Sequence, residues 1–514
     1  MSHPLHAAPS SSTLTASPVP SSTASVRDQL SLLSIIEDFI ERNYDFGTAY
    51  AFLRPVWKKV NPRNIQDELR RCEEADREYQ RKALVGNWIV KRYLQPRRLW
   101  DLWSNHVVPW WIIGHCLPVP ISHAWVDEKD RVDVQTPING KEWPVPIPKD
   151  VDLNLIWIEM LNLGAEYTWL DVLCLRQKEE GGPKEGLRMK EWRLDVPTIG
   201  FMYSWTKVVI YLNGLGRPLR LKDGDLDSDR NWFRRAWTVQ EVGSSRIIAG
   251  DTPDGPMHAQ QIGGGNYKTA LLTRFHDELH SVDKEGFLMF TALANMQKRM
   301  STNPVDRVAG LAFPLQPHRI PVYCESETLE DAWTALVNAM EPIVHAHFLC
   351  LYPGVGLGCK KWRPSWGQVM MEPLPKDPLT GSYLPGMGVH HDNQTHEDWF
   401  DGVCIEEGQV RGFNVGSAEQ CDHCEELVVE AADGIAHTFK IRVTHQFLIP
   451  EDTYTLLGCD PDWSCTQWAI GRRLPDQRFE KVSVIEMDSD IELERLREYT
   501  EWFNLVRRCR YMLI

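Results

Sequence analysis

No stretch of the chain is long and apolar enough to suggest a membrane span. The longest candidate, residues 107–121, is interrupted by Pro109, His115, Pro118 and Pro120 and falls short of the roughly 20 residues a span needs. The first 25 residues lack both the basic start and the apolar centre of a secretory signal, and their Ser, Thr, Pro and Ala content reads as a disordered tail. Basic charge is also scarce. With 56 Lys and Arg against 71 Asp and Glu, the net charge is −15, which argues against general nucleic-acid binding but leaves room for a local basic pocket. The 12 cysteines follow no disulfide spacing, and without a signal they fit reduced thiols and a cytoplasmic setting. Phosphate-loop (G-x-x-x-x-G-K-[ST]), zinc-protease (H-E-x-x-H) and nucleophile-elbow (G-x-S-x-G) motifs are missing, as are internal repeats. Cys421 and Cys424 form a single C-x-x-C with no second close pair, so they read as reduced turn cysteines and no metal site is expected.

What the chain does contain is 514 residues, 43% of them hydrophobic and 21 of them tryptophan, enough for several domains around a substantial core. Residues 26–117 are helical by pattern after the tail of 1–25. Residues 118–260 alternate strand-like and helix-like segments, 261–346 read as helical links, and 347–514 alternate apolar and polar residues as antiparallel strands do before a terminal helix. Within 118–260, residues 119–125, 167–175 and 208–212 are strand candidates. Residues 153–163 suit a buried helix, 197–205 a helix capped by Asp195, and 232–242 another helix. The expected fold class is α/β with a mainly parallel sheet, helical N-terminal and linking segments, and a β-rich C-terminal domain.

The chemistry-bearing residues collect in that α/β region. Ser122, His123 and Trp125 stand where a strand meets its loop. Asp171 lies inside an apolar strand candidate, with Arg176 and Gln177 at its carboxyl end, where ligands of open α/β sheets bind. Arg235, Trp237 and Glu241 share the last helix candidate, and Trp237 and Glu241, four apart, fall on one face. Each also has a purely architectural reading. Ser122 and His123 can satisfy strand-end backbone groups, Asp171 can partner an arginine, Trp237 can fill core, and Glu241 can pair with Arg234 or Arg235.

In this order the motifs Ser122–Trp125, Trp169–Gln177 (WLDVLCLRQ) and Arg235–Glu241 (RAWTVQE) resemble those of the fungal heterokaryon-incompatibility (HET) domain. Residues 303–311 (NPVDRVAGL) look like the segment that follows that domain, while His123-Ala124 departs from the family's usual aromatic or Val residues. The resemblance implies a role in non-self recognition and regulated cell death, exercised with protein partners or by self-assembly. It also implies remote similarity to the flavodoxin-like TIR fold. In TIR enzymes that cleave NAD, the catalytic glutamate follows a tryptophan at the spacing of Trp237 and Glu241. On that analogy Glu241 is the catalytic residue, with Ser122, His123, Trp125, Asp171, Arg176, Gln177, Arg235 and Trp237 binding a nucleotide. NAD is then a substrate, and no resident cofactor is required. The other implication is a non-enzymatic signalling and assembly module on a degenerate TIR-like fold. The insert at residues 213–231 departs from a compact TIR pattern.

Overall fold

The computed structural model describes residues 34–42, 44–56, 64–113, 117–179, 182–204, 206–243, 245–283, 288–377, 387–412, 423–459 and 466–514. The expected tail of 1–25 and Cys421 lie outside these residues. Residues 34–41 are helical, and two helices, α1 (Phe46–Leu53) and α2 (Ile65–Ala83), follow, with Asp45 capping α1 by accepting from the Thr48 amide. The helical character expected of residues 26–117 gives way after Ala83, where Leu84–Val85 and Trp88–Ile89 pair as short strands. Strands β1 (Arg98–Asp101) and β2 (His106–Pro109) form a hairpin on the edge of the central sheet.

That sheet is mixed. Besides the hairpin it contains β3 (Val119–His123), β4 (Tyr167–Trp169), β5 (Lys207–Tyr211) and β6 (Ser245–Ile248), in the order β6-β5-β3-β4-β1-β2. The first four of that order run parallel, and β1 joins β4 antiparallel. Strand β3 divides its pairing, with Val119 and Pro120 against β4 and Ile121 to His123 against β5. The next two parallel strands in the chain therefore lie on opposite sides of β3. This is a topological switch point, the place at the strand carboxyl ends where ligands of open α/β sheets bind.

Helix α3 (Leu153–Asn162) crosses from β3 to β4, capped by Asp152. It is amphipathic rather than buried all round, because Leu155 and Ile158 face solvent while Ile156 and Met160 sit in the core. The apolar run 167–175 is not one strand. It ends at Trp169 and turns into a single helical turn, Asp171–Cys174. Helix α4 (Glu185–Thr198) begins well before the expected 197–205 helix and carries Pro197 in its last turn, where a short helix, Gly200–Ser204, takes over. Asp195 is no cap. It is buried and holds the Arg97 guanidinium at 3.1 and 3.3 Å.

Helices α5 (Ala270–Asp283), α6 (Met289–Gln297), α7 (Leu329–Asn338) and α8 (Pro342–Cys350) connect this layer to the C-terminal strands. Those strands start at Gly388, later than the texture change at 347 suggests. They are β7 (Gly388–His391), β8 (Asp398–Arg411), β9 (His423–Glu430), β10 (Ala436–Val443), β11 (Asp452–Gly458), β12 (Gln467–Leu474) and β13 (Arg478–Met487). The order β7-β8-β9-β10-β13-β12-β11, with β11 paired back to β8, closes six of them into an antiparallel barrel. Helix α9 (Asp490–Phe503) is followed by β14 (Arg507–Leu513), which pairs with β8 and β13. One apolar core runs from Ala83 through the sheet and linking helices to Leu513, and a second fills the barrel. No helix among the described residues is long and apolar enough to cross a membrane.

Candidate functional site at the switch point

Strand β3 ends in Ser122 and His123, both buried, and Trp125 follows in the loop. The early end of β4 places Asp171 beside them, at the start of its helical turn. Asp171 Oδ1 meets His123 Nε2 at 2.9 Å and the Val172 amide at 2.7 Å, while Oδ2 accepts from the Trp125 indole at 3.2 Å. On the other side of β3, Ser122 Oγ donates to Glu241 Oε2 at 2.5 Å and accepts from the Trp232 indole at 2.7 Å. The cluster thus draws on three chain segments, one of them separated by 119 positions.

The segment carrying Glu241 is not the expected α-helix. It consists of two 3₁₀ turns, Trp232–Arg234 and Trp237–Gln240, separated by extended Arg235. The break has a long-range cause: Met300 donates to the Arg234 carbonyl and accepts from the Ala236 amide, a sheet-like bridge that a continuous helix would forbid. At three residues per turn, positions four apart no longer align. Trp237 and Glu241 accordingly diverge. Glu241 turns toward Ser122, and Trp237 toward Tyr323 and Asp306. Gly243, at φ +74°, then reverses the chain into β6, and a Cβ there would lie 2.4 Å from Val208.

The electrostatics are uneven. Burial pushes the Glu241 carboxyl up to about 7, and the nearby Asp171 adds to this, against the Ser122 hydrogen bond and the charges of His123 and Arg299. Glu241 has no ion pair among the described residues. For His123, burial is the strongest influence and opposes charge. The Asp171 carboxylate and the Ala124 carbonyl, one at each ring nitrogen, outweigh it and raise the pKa. Two acceptors on one imidazole are satisfied together only by the cation, so His123 and Asp171 form an ion pair.

The structure therefore brings together Ser122, His123, Trp125, Asp171 and Glu241. It takes Arg176 elsewhere: this guanidinium pairs with Glu142 at 2.8 Å and Glu191 at 3.4 Å, and lies over Trp143. Gln177 donates to the backbone carbonyls of Asp171 and Leu175, bracing the turn. Arg235 is half-buried near Glu241 and Asp306, and its side chain has no hydrogen bond or ion pair among the described residues. Trp232, Arg299, Asp306 and Tyr323 escaped the sequence reading of the site. Asp306 accepts from the Tyr323 hydroxyl at 2.6 Å and from the Trp237 indole, and burial pushes its carboxyl up to about 6. The signal for Asp306 in the sequence is the NPVDR segment, residues 303–307. Among the described residues no three His, Cys, Asp or Glu side chains gather as metal ligands. Comparisons with family models, curated proteins and solved structures each return no match.

Proposed function

We propose that this chain is a HET-domain protein of fungal non-self recognition and regulated cell death, and that its α/β region cleaves NAD at the nicotinamide–ribose bond. The three ordered motifs support the family reading. The parallel order around β3, with successive strands on either side of the first, supports a flavodoxin-like, TIR-related fold. One observation carries the chemical part. Glu241 is a buried carboxyl with no ion pair among the described residues, held by Ser122 at the switch point.

Cleavage sends the bonding electrons to the nicotinamide nitrogen and neutralises the pyridinium. Positive charge is left on ribose C1 and the ring oxygen, as in glycoside cleavage. The Glu241 carboxylate, screened from water, stabilises that charge strongly. Water then forms the new bond at C1, and its proton passes to the carboxylate and on to solvent, giving ADP-ribose and nicotinamide. A carboxyl titrating near 7 is well matched to accept that proton at neutral pH. Ser122 and Trp232 aim the carboxylate, and the His123–Asp171 pair fixes the end of β3 beside it. On this account the rate of NAD loss rises with pH along a single ionisation near 7. A pH-independent rate in an otherwise folded protein would count against Glu241.

The second reading, a non-enzymatic assembly module, draws on one observation. Glu241 is only 8% exposed, so a ribose reaches it only if the residues that cover it yield. Turnover that appears in an assembled state but not in dilute protein favours assembly-gated catalysis; turnover in neither favours the module.

A further inference from the structure

In a chain of net charge −15, three guanidiniums gather around the carboxyl end of β3. Arg131 opens a short strand, Arg131–Val134, and lies over the Trp125 ring at 5.1 Å. Its Nε is buried without a hydrogen-bond partner, and the side chain has no ion pair among the described residues. Arg230 reaches across from the insert that precedes Glu241 and pairs with Asp127 at 2.7 Å, tying the two loops together. Arg235 completes the group. Burial first, then the neighbouring charges of Arg230 and Arg131, depress its pKa, with Asp306 and Glu241 pulling the other way. Only Arg230 has a carboxylate in contact. Like charges collected beside Trp125, with one carboxylate in contact among them, favour the binding of an anion.

We propose that Arg131, Arg230 and Arg235 form a diphosphate subsite beside Trp125, so that the switch point takes a nucleoside diphosphate derivative rather than a free nucleoside. The proposal rests on the reading of Glu241 as the group facing ribose, because the diphosphate of such a ligand is attached to that sugar. Planar guanidinium forks suit phosphate oxygens and contribute charge-assisted hydrogen bonds. The Trp125 ring, already covered on one side by Arg131, would give the subsite an apolar neighbour. Arg176, named with Arg235 among the nucleotide-binding residues in the sequence, is paired with Glu142 and Glu191 instead.

The test is calorimetric titration of the full chain with ADP and, separately, with adenosine. ADP is expected to bind at least about tenfold more tightly, and Arg131→Gln and Arg235→Gln each to weaken ADP about tenfold while leaving adenosine unchanged. Arg230→Gln, at a side chain 43% exposed, gives the same comparison with little risk to folding. Equal affinity for ADP and adenosine, no ADP binding, or ADP affinity indifferent to all three substitutions would overturn the subsite. Arginine-dependent ADP binding without NAD turnover keeps the subsite and removes the cleavage reading. NAD turnover unaffected by the three substitutions does the reverse.

Discussion

Charge on Glu241 is costly to the fold, and that cost has a testable sign. The group's pKa is raised from 4.5 to about 7, so between these values the folded protein holds a proton that the unfolded chain has released. Stability from this group is complete below 4.5 and falls as pH rises toward 7, by about 3 kcal/mol at 1.36 kcal/mol per unit. Glu241→Gln, which keeps the shape and removes the charge, is expected to melt higher than the parent at pH 8, with the gap closing toward pH 5. A gap that does not change with pH would mean that Glu241 is not buried as an acid. Ser122→Ala leaves the Trp232 indole and Glu241 without their shared partner and is expected to cost about 1–3 kcal/mol in denaturant unfolding. Ser122, His123, Trp125, Asp171 and Glu241 were legible because short motifs carry them. Arg176 was misread because its partner, Glu191, lies on α4, and only the folded chain brings them together.

Among the elements, α4 depends on ions in a way that no amphipathic stripe predicts. Glu191 is buried and receives Arg98 of β1 at 2.5 Å and Arg176 at 3.4 Å; the Arg98 hydrogen bond and charge overcome burial and hold its carboxyl below the usual range. Glu191→Ala leaves the nearly buried Arg98 guanidinium without a carboxylate and Arg176 with Glu142 alone, and is expected to lower unfolding free energy by about 3–5 kcal/mol. A loss within 0.5 kcal/mol of zero, the range of a surface change, would contradict the network. The strands β3 and β5 were readable from their apolar runs. The 3₁₀ break before Glu241 was not, because it is imposed by Met300, some sixty residues further along the chain. The turn after Trp169 also looked like strand, since its residues are apolar in either conformation.

On the scale of the molecule, the barrel docks on the linking helices through a buried amine. Lys481 of β13 donates to the carbonyls of Phe348, Tyr352 and Trp362 at 3.0, 2.6 and 3.4 Å, and Ser483 donates to the Pro353 carbonyl. Lys481→Met removes that donor and leaves buried carbonyls unpaired, and is expected to cost about 1–3 kcal/mol in chemical unfolding. No change in midpoint would exclude the contact as a fastening. Alternating apolar residues announced antiparallel strands here. They did not announce closure, because the β8–β11 pairing and the return of β14 are fixed by register between distant segments. The many tryptophans are largely architecture: Trp100, Trp169, Trp232, Trp333, Trp362 and Trp468 are among the largest fully buried side chains. Trp232 is both packing and site, since its indole holds Ser122.

The proposed role of Glu241 is that of the carboxylate in an NAD-cleaving centre. It is tested most directly by following NAD and nicotinamide with the purified full chain, dilute and assembled, beside Glu241→Gln. Stoichiometric release of nicotinamide by the parent is expected, with a loss of at least about a hundredfold in the variant, whose fold is intact. Equal nicotinamide release by both proteins, or none from the parent in any assembly state, would contradict it.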